Sequence, residues 1–193
     1  MQCPVLGYSG RGYFDMSITL WNENMATITL YQDNNFSGRS LDISYPESNL
    51  LNEGFNDLAS SCRVASGYWL LYKDINFSGS YSILGPGDYA DSTAMGLPND
   101  SLSSLRPLPD SGICLFQDNN FGARMVQLTG AQSDLRVIGF NDVISSVIVV
   151  SGNWSLYEDI NFQGTVWKLG VGRYESAQVG GFKNDAISSV KPT

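Results

Sequence analysis

The chain has 193 residues and a formal net charge of −8, which excludes the basic surface that nucleic-acid binding and attachment to anionic membranes require. Cations are its natural partners, and with no histidine in the sequence, Ser-His-Asp and Cys-His catalysis are excluded. No apolar run reaches the roughly 18 residues of a membrane span.

Hydrophobic residues make up 42% and charged residues 16%, the balance of a folded globular chain. Twenty glycines with abundant Asn, Asp and Ser point to tight turns between short strands. The first residues, MQCPVLGYSGRGYFDMS, lack the basic start and apolar run of a signal peptide. The location is read as cytoplasmic, or extracellular if a leader has been removed. Cys3, Cys62 and Cys114 form neither a C-x-x-C nor a zinc cluster. They read as reduced, buried thiols, with one bridge such as Cys3 to Cys62 as the alternative.

In chain order, residues 1–25 form an N-terminal extension carrying Tyr8, Tyr13, Phe14 and Trp21. It reads as an extra strand on the first domain or as an arm that docks on a partner. TITLY (27–31) alternates as a strand, YQDNNFSG (31–38) turns it, and SLDI (40–43) returns. NDLASS (56–61) follows, then the strand CRVAS (62–66). A second unit repeats the plan with YKDINFSG (72–79), YSIL (81–84) and NDSLSS (99–104). RPLPDSG (106–112) reads as the linker, with domains at 26–107 and 112–193 and residues 108–111 between them. So short a linker implies that the domains touch or exchange with a partner chain. The third unit has ICLF (113–116), FQDNNFGA (116–123), MVQL (125–128), NDVISS (141–146) and VIVVS (147–151). The fourth has YEDINFQG (157–164), VWKL (166–169) and NDAISS (184–189).

These units form two halves that align without a gap: Tyr31 to Phe116, Asn56 to Asn141, Tyr72 to Tyr157 and Asn99 to Asn184 are all 85 residues apart. Each half therefore holds two related units of about four short strands, and such a pair makes a β-sandwich.

The hexapeptide N-D-x-x-S-S recurs in all four units. A single copy is ordinary turn chemistry, with side chains bonded to nearby backbone. Four copies in register concentrate amide, carboxylate, hydroxyl and carbonyl oxygens, the hard donors that calcium takes six to eight at a time. Magnesium wants a tighter octahedron, and softer metals want Cys or His. One carboxylate per site implies a dissociation constant on the order of micromolar to millimolar.

The pairing of Y/F-x-x-x-x-F-x-G with N/D-N/D-x-x-S/T-S, twice per half over residues 26–193, resembles the βγ-crystallins. The resemblance implies an all-β chain of two Greek-key β-sandwich domains, four Greek-key motifs in all, with up to four Ca2+ ions, two per domain. One ion would take the Ser60 hydroxyl, the Leu58 and Gln32 carbonyls, and Asp100. The second would take Ser103, the Ser101 and Lys73 carbonyls, and Asp57. The third would take Ser145, the Val143 and Gln117 carbonyls, and Asp185, and the fourth Ser188, the Ala186 and Glu158 carbonyls, and Asp142. The leading asparagines Asn56, Asn99, Asn141 and Asn184 would brace the loops. Many vertebrate lens members lack an acceptable fifth motif residue, whereas this chain has Ser in all four copies. It therefore looks like the calcium-binding members rather than a lens protein. The third hairpin departs from the family, with Ala123 where the others have Gly. Either Gly122 shifts the turn or the Gln117 carbonyl is displaced.

Other motifs carry less. No carboxylate pair stands apart as catalytic, and the chain reads as a non-enzyme. GPG (85–87) and GVG (170–172) lack the strand-to-helix setting of a phosphate loop. The N-x-S sequons at Asn35, Asn76, Asn99 and Asn153 matter only in a secreted chain. The aromatics after the hairpins read as core and domain-interface residues. The expected state is a monomer or weak homodimer, with any partner contact through the N-terminal arm.

Overall fold

The computed structural model describes residues 26–193. Cys3 and the N-terminal extension lie outside the described residues. The first half runs β1 (Thr27–Asp33), β2 (Ser37–Ile43), β3 (Ser61–Ser66), β4 (Tyr68–Asp74), β5 (Ser78–Leu84), β6 (Gly87–Tyr89), the helical turn α1 (Ser92–Met95) and β7 (Ser104–Leu108). The second runs β8 (Ile113–Phe116), β9 (Met125–Leu128), β10 (Ser146–Val149), β11 (Trp154–Asp159), β12 (Gln163–Leu169), β13 (Gly172–Tyr174), the turn α2 (Ala177–Gly180) and β14 (Ser189–Pro192).

Each half is a sandwich of two antiparallel sheets, ordered β2-β1-β3-β6 with β5-β4-β7, and β9-β8-β10-β13 with β12-β11-β14. The two units of a half interlock. β6 follows the second hairpin yet pairs with β3 of the first unit, Cys62 opposite Tyr89. In return Glu47 of the first unit bridges Leu105 on β7, with N–H to carbonyl bonds of 2.8 and 2.9 Å in the two directions. β13 on β10 and Gln132 on Val190 repeat the exchange in the second half. This crossing of strands between units is the Greek key. Neither unit can bury its apolar face alone, so the pair folds as one body.

Alternation places the core. β1 buries Ile28 and Leu30 between partly exposed neighbours, as one covered face requires. β4 and β8 break the alternation because both of their faces are covered. Trp69 and Leu71 point into the first core while Leu70 and Tyr72 join a cluster between the domains. Ile113 and Leu115 enter the second core while Cys114 and Phe116 join the same inter-domain cluster. Leu108, Ile148 and Phe121 complete the cluster, with Phe77, Tyr81, Ile83 and Met125 packed at its edge. Phe77 and Tyr81 of the second hairpin and Phe121 of the third are thus interface residues, while Phe140 after the third hairpin is core.

A correction concerns the linker. Arg106, Pro107 and Leu108 are buried residues of β7, paired with β4 from Tyr68 to Leu70. Arg106 is 3% exposed and reaches across the interface. RPLPDSG is therefore a strand end followed by a short turn, because its first residues pair with β4, Arg106 bonds across to the second domain and Leu108 packs in the inter-domain cluster.

The inter-domain surface occurs once although the repeat offers it twice. Ile148, Cys114 and Ile83 of the interface correspond by the 85-residue offset to Arg63, Thr29 and Lys168 on the outer faces. Those outer faces are more polar, which disfavours end-to-end stacking of further copies.

Cys62 and Cys114 are free, buried thiols, and burial pushes both up to about 12 from 9.0. Burial likewise raises Tyr72 and Tyr81 to about 12 from 10.0, with Glu175 adding to the effect at Tyr81 and Arg106 opposing it at Tyr72. The unfolded chain releases these protons at the lower values, the native chain only at the higher ones. Native stability is therefore whole below pH 9.0 and falls as pH rises toward about 12. Denaturant midpoints measured across that window check this, and in the same assay Cys114→Ala should flatten the decline.

Candidate functional site: crosswise loop pairs

Each hairpin is folded over its own sheet. Two consecutive residues take left-handed backbone angles at its tip: Asn35 and Phe36 (φ 56° and 61°), Asn76 and Phe77 (both 58°), Asn120 and Phe121 (57° and 59°), Asn161 and Phe162 (57° and 61°). Asn tolerates that region, whereas Phe must be held there. The holder is the sixth residue of the hexapeptide. Ser61, Ser104, Ser146 and Ser189 have no solvent exposure. Each hydroxyl accepts the N–H of the tip phenylalanine at 3.0–3.1 Å. Each also donates to the carbonyl of the hairpin aspartate (Asp33, Asp74, Asp118 or Asp159) at 2.5–2.6 Å. The tip is tied to the partner unit as well, by Asn35 N–H to Ala90, Asn76 to Ser48, Asn120 to Glu175 and Asn161 to Ser133, at 2.7–2.8 Å.

The sequence reading missed the sixth-position serines as working residues. Their signal was present, since the sixth Ser recurs as faithfully as the fifth. Ser189→Ala leaves a buried N–H and a buried carbonyl without their partner and should cost about 2–3 kcal/mol, read from the guanidinium midpoint. Ser188→Ala, losing one longer bond, should cost less.

Folding the hairpin exposes a bulge. In β1, β4 and β11 the register shifts between Tyr31 and Asp33, Tyr72 and Asp74, and Tyr157 and Asp159. Gln32, Lys73 and Glu158 are the extra residues, left out of the ladder. The fifth-position serine lies beside the first hairpin strand of each unit and donates its N–H to that strand's carbonyl: Ser60 to Tyr31, Ser103 to Tyr72, Ser145 to Phe116 and Ser188 to Tyr157, at 2.9–3.0 Å.

The loops then meet crosswise. Asp57, Asp100, Asp142 and Asp185 all have φ between 50° and 53°, which turns each carboxylate toward the partner loop. The Ser60 hydroxyl donates to Asp100 and the Ser103 hydroxyl to Asp57, both at 3.0 Å. Ser145 donates to Asp185 at 3.3 Å and Ser188 to Asp142 at 3.4 Å. Asn56, Asn99, Asn141 and Asn184 each donate to the other oxygen of the adjacent aspartate at 2.6–2.7 Å. The asparagines orient the carboxylates, so one oxygen of each stays turned to the serine.

The donor set suits a hard cation. Oxygens 3.0–3.4 Å apart can occupy neighbouring positions around one calcium, whose oxygen ligands lie at about 2.3–2.6 Å. Gln32, Leu58, Ser60 and Asp100, the complete set predicted for one ion, line a single open depression with Asp57 and Asn99. Among the described residues no three Cys, Asp or Glu converge, so each site would rest on one near carboxylate and neutral oxygens. Ser101, Val143 and Ala186 hold the third motif position of the remaining loops, between aspartate and serine in the same order as Leu58. Glu158 is also engaged by Lys183 at 3.2 Å, and hydrogen bonding from Thr165 first, then Lys183, holds its carboxyl below the usual range.

The third hairpin departs from the other three, and Gly122 does not take over the turn. Gly122 has an ordinary φ of −84°, and Ala123 itself takes the left-handed angle, 54°. In the other hairpins the glycine also makes room: a β-carbon on Gly38, Gly79 or Gly164 would lie 2.2–2.6 Å from the carboxylate of Asp33, Asp74 or Asp159. Here the ladder is shortened to four residues a side, and the Gln117 N–H donates to the Arg124 carbonyl at 3.0 Å. The departure serves domain docking. A β-carbon on Gly122 would stand 3.1 Å from the Phe77 carbonyl of the first domain.

An all-β chain of two Greek-key sandwiches, each closed by a crosswise pair of Asn-Asp loops, is the class of protein that fold and site define. The family model described as Beta/Gamma crystallin matches residues 27–108 and 112–193. Gamma-crystallin D of Homo sapiens is 37% identical over 86% of this chain and 97% of its own length. Gamma-crystallin D of Bos taurus is 33% identical over the same shares. The solved structure of Geodin, a beta-gamma crystallin from Geodia cydonium, superposes with a TM-score of 0.71 over 88% of this chain and 99% of its own, at 24% identity, and so speaks to the fold. The chain belongs to the beta/gamma crystallin family. Among the described residues no helix is long and apolar enough to cross a membrane.

Proposed function

We propose that this protein is a structural, non-catalytic crystallin whose crosswise loops bind calcium, up to two ions per domain, and thereby stabilise each sandwich. The reading rests on one observation: in all four loops an aspartate from one unit meets the fifth-position serine of the other, at 3.0–3.4 Å. Asp100, Ser60 and the Leu58 and Gln32 carbonyls would hold one ion, and Asp57, Ser103 and the Ser101 and Lys73 carbonyls its neighbour. Asp185, Ser145, Val143 and Gln117 would hold the third, and Asp142, Ser188, Ala186 and Glu158 the fourth. Each ion would tie the two interlocked units of a domain together.

Free calcium at 100 times the dissociation constant adds about 2.7 kcal/mol of native stability per site. Calorimetry should therefore show calcium uptake at micromolar to millimolar concentration and a rise in melting temperature of several degrees. Asp100→Asn should weaken one ion of the first domain about tenfold or more and leave the second domain's uptake unchanged. No heat of binding at millimolar calcium would sink the proposal.

A second reading is a long-lived packing protein whose stability owes nothing to calcium. The likeness to Gamma-crystallin D and the buried cluster between the domains favour it. A melting temperature indifferent to chelator and calcium alike would select it.

A further inference from the structure

Resting on the calcium reading, we propose that Arg106 of the first domain is a positioning residue for the third ion site, so that this site takes its working shape only while the domains are docked. Four observations converge on it.

Arg106 is 3% exposed, and among the described residues no Asp or Glu is a hydrogen-bond or ring partner of it. Its guanidinium is held by the rings of Phe77, Phe116 and Tyr72, at 4.3, 5.1 and 5.2 Å from the ring centres. Two of its nitrogens donate to the Tyr72 hydroxyl, at 2.9 and 3.2 Å. The remaining donors cross to the second domain, to the Phe121 carbonyl and, at 2.8 Å, to the Ala123 carbonyl. The Tyr72 hydroxyl itself donates to the Phe121 carbonyl.

These acceptors belong to the hairpin least able to hold itself. Ala123 sits at a φ of 54° where the other hairpins have glycine, and the strands on either side are the shortest hairpin pair. The first domain grips the same residue from the other side, the Ala123 N–H donating to the Phe77 carbonyl at 3.0 Å. A strained residue thus has both its backbone groups bonded by the neighbouring domain.

The grip leads to the third site through few bonds. Phe121 N–H is on the Ser146 hydroxyl at 3.1 Å, next to Ser145. Phe116 accepts the Ser145 N–H at 3.0 Å, and Gln117 N–H is on Arg124, the residue after Ala123, at 3.0 Å. The internal repeat supplies the control. Lys191 is the 85-residue counterpart of Arg106, lies 4.9 and 5.2 Å from the ring centres of Phe162 and Tyr157, and sits at the far end of the chain.

The test uses the full chain carrying Arg106→Gln, Tyr72→Phe or Lys191→Gln. Amide hydrogen exchange is followed residue by residue, first without calcium and then during titration with calcium chloride. Without calcium, Arg106→Gln should speed exchange at residues 121–124 by about tenfold or more, and leave the fourth hairpin (160–165) at the wild-type rate. With calcium, the third site should weaken by a similar factor relative to the fourth, and Ala123→Gly should restore part of the loss. Tyr72→Phe, the milder change, should do the same to a smaller degree and serves if Arg106→Gln does not fold. Lys191→Gln should alter neither hairpin. Unchanged exchange at 121–124, or equal acceleration throughout the second domain, would overturn the proposal. Absence of calcium uptake by the wild type overturns the functional reading and the ion-site half of this proposal, while calcium-free exchange still decides whether Arg106 holds the hairpin.

Discussion

A serine hydroxyl with no solvent exposure, accepting one backbone N–H and donating to one carbonyl, closes each of the four repeat hairpins. Without it the tip phenylalanine would have no reason to remain at a left-handed angle, and its N–H and the aspartate carbonyl would be buried unpaired. With it the hairpin folds back over its sheet, and in three of the four the strand bulges and drops one residue from the ladder. The preceding serine then stands where the partner loop's aspartate can reach it. The candidate cation site is a consequence of a backbone constraint, and side-chain chemistry completes it.

The second constraint is interlocking. β6 on β3 and Glu47 on Leu105 make each unit finish the other's sheet. The same exchange carries the hexapeptide of one unit to the hairpin of the other, so both carboxylates of a pair cross over together. An ion bound between them would bridge two segments about 40 residues apart in sequence, as the Ser60–Asp100 contact already does.

The repeats diverge where the domains meet. Leu70, Cys114 and Ile148 are apolar because their second faces are covered, while Arg63 and Thr29 stand at equivalent places that face outward. The third hairpin follows the same rule. Its Gly122-Ala123 order admits the first domain's Phe77 carbonyl at close range, and Arg106 and Tyr72 hold what the lost glycine no longer favours. A departure that reads as damage within one loop reads as fit across two domains.

Most of the strands and the 85-residue duplication were legible in the sequence alone. Alternation marks a half-buried strand locally, and a duplicated Asp and Ser keep their spacing in the chain. The crosswise partners, Ser60 with Asp100 and Ser145 with Asp185, came instead from the resemblance to the βγ-crystallins, and the fold brings both pairs into contact. Tertiary structure alone decided which serine closes the hairpin, because the fifth and sixth positions are the same residue type and differ only in the direction the backbone points them. It also decided that Arg106 to Leu108 are strand: RPLPDSG looks like a linker until a second domain covers Arg106 and Leu108. Covering is a property of two surfaces brought together, and no local pattern in either one records it.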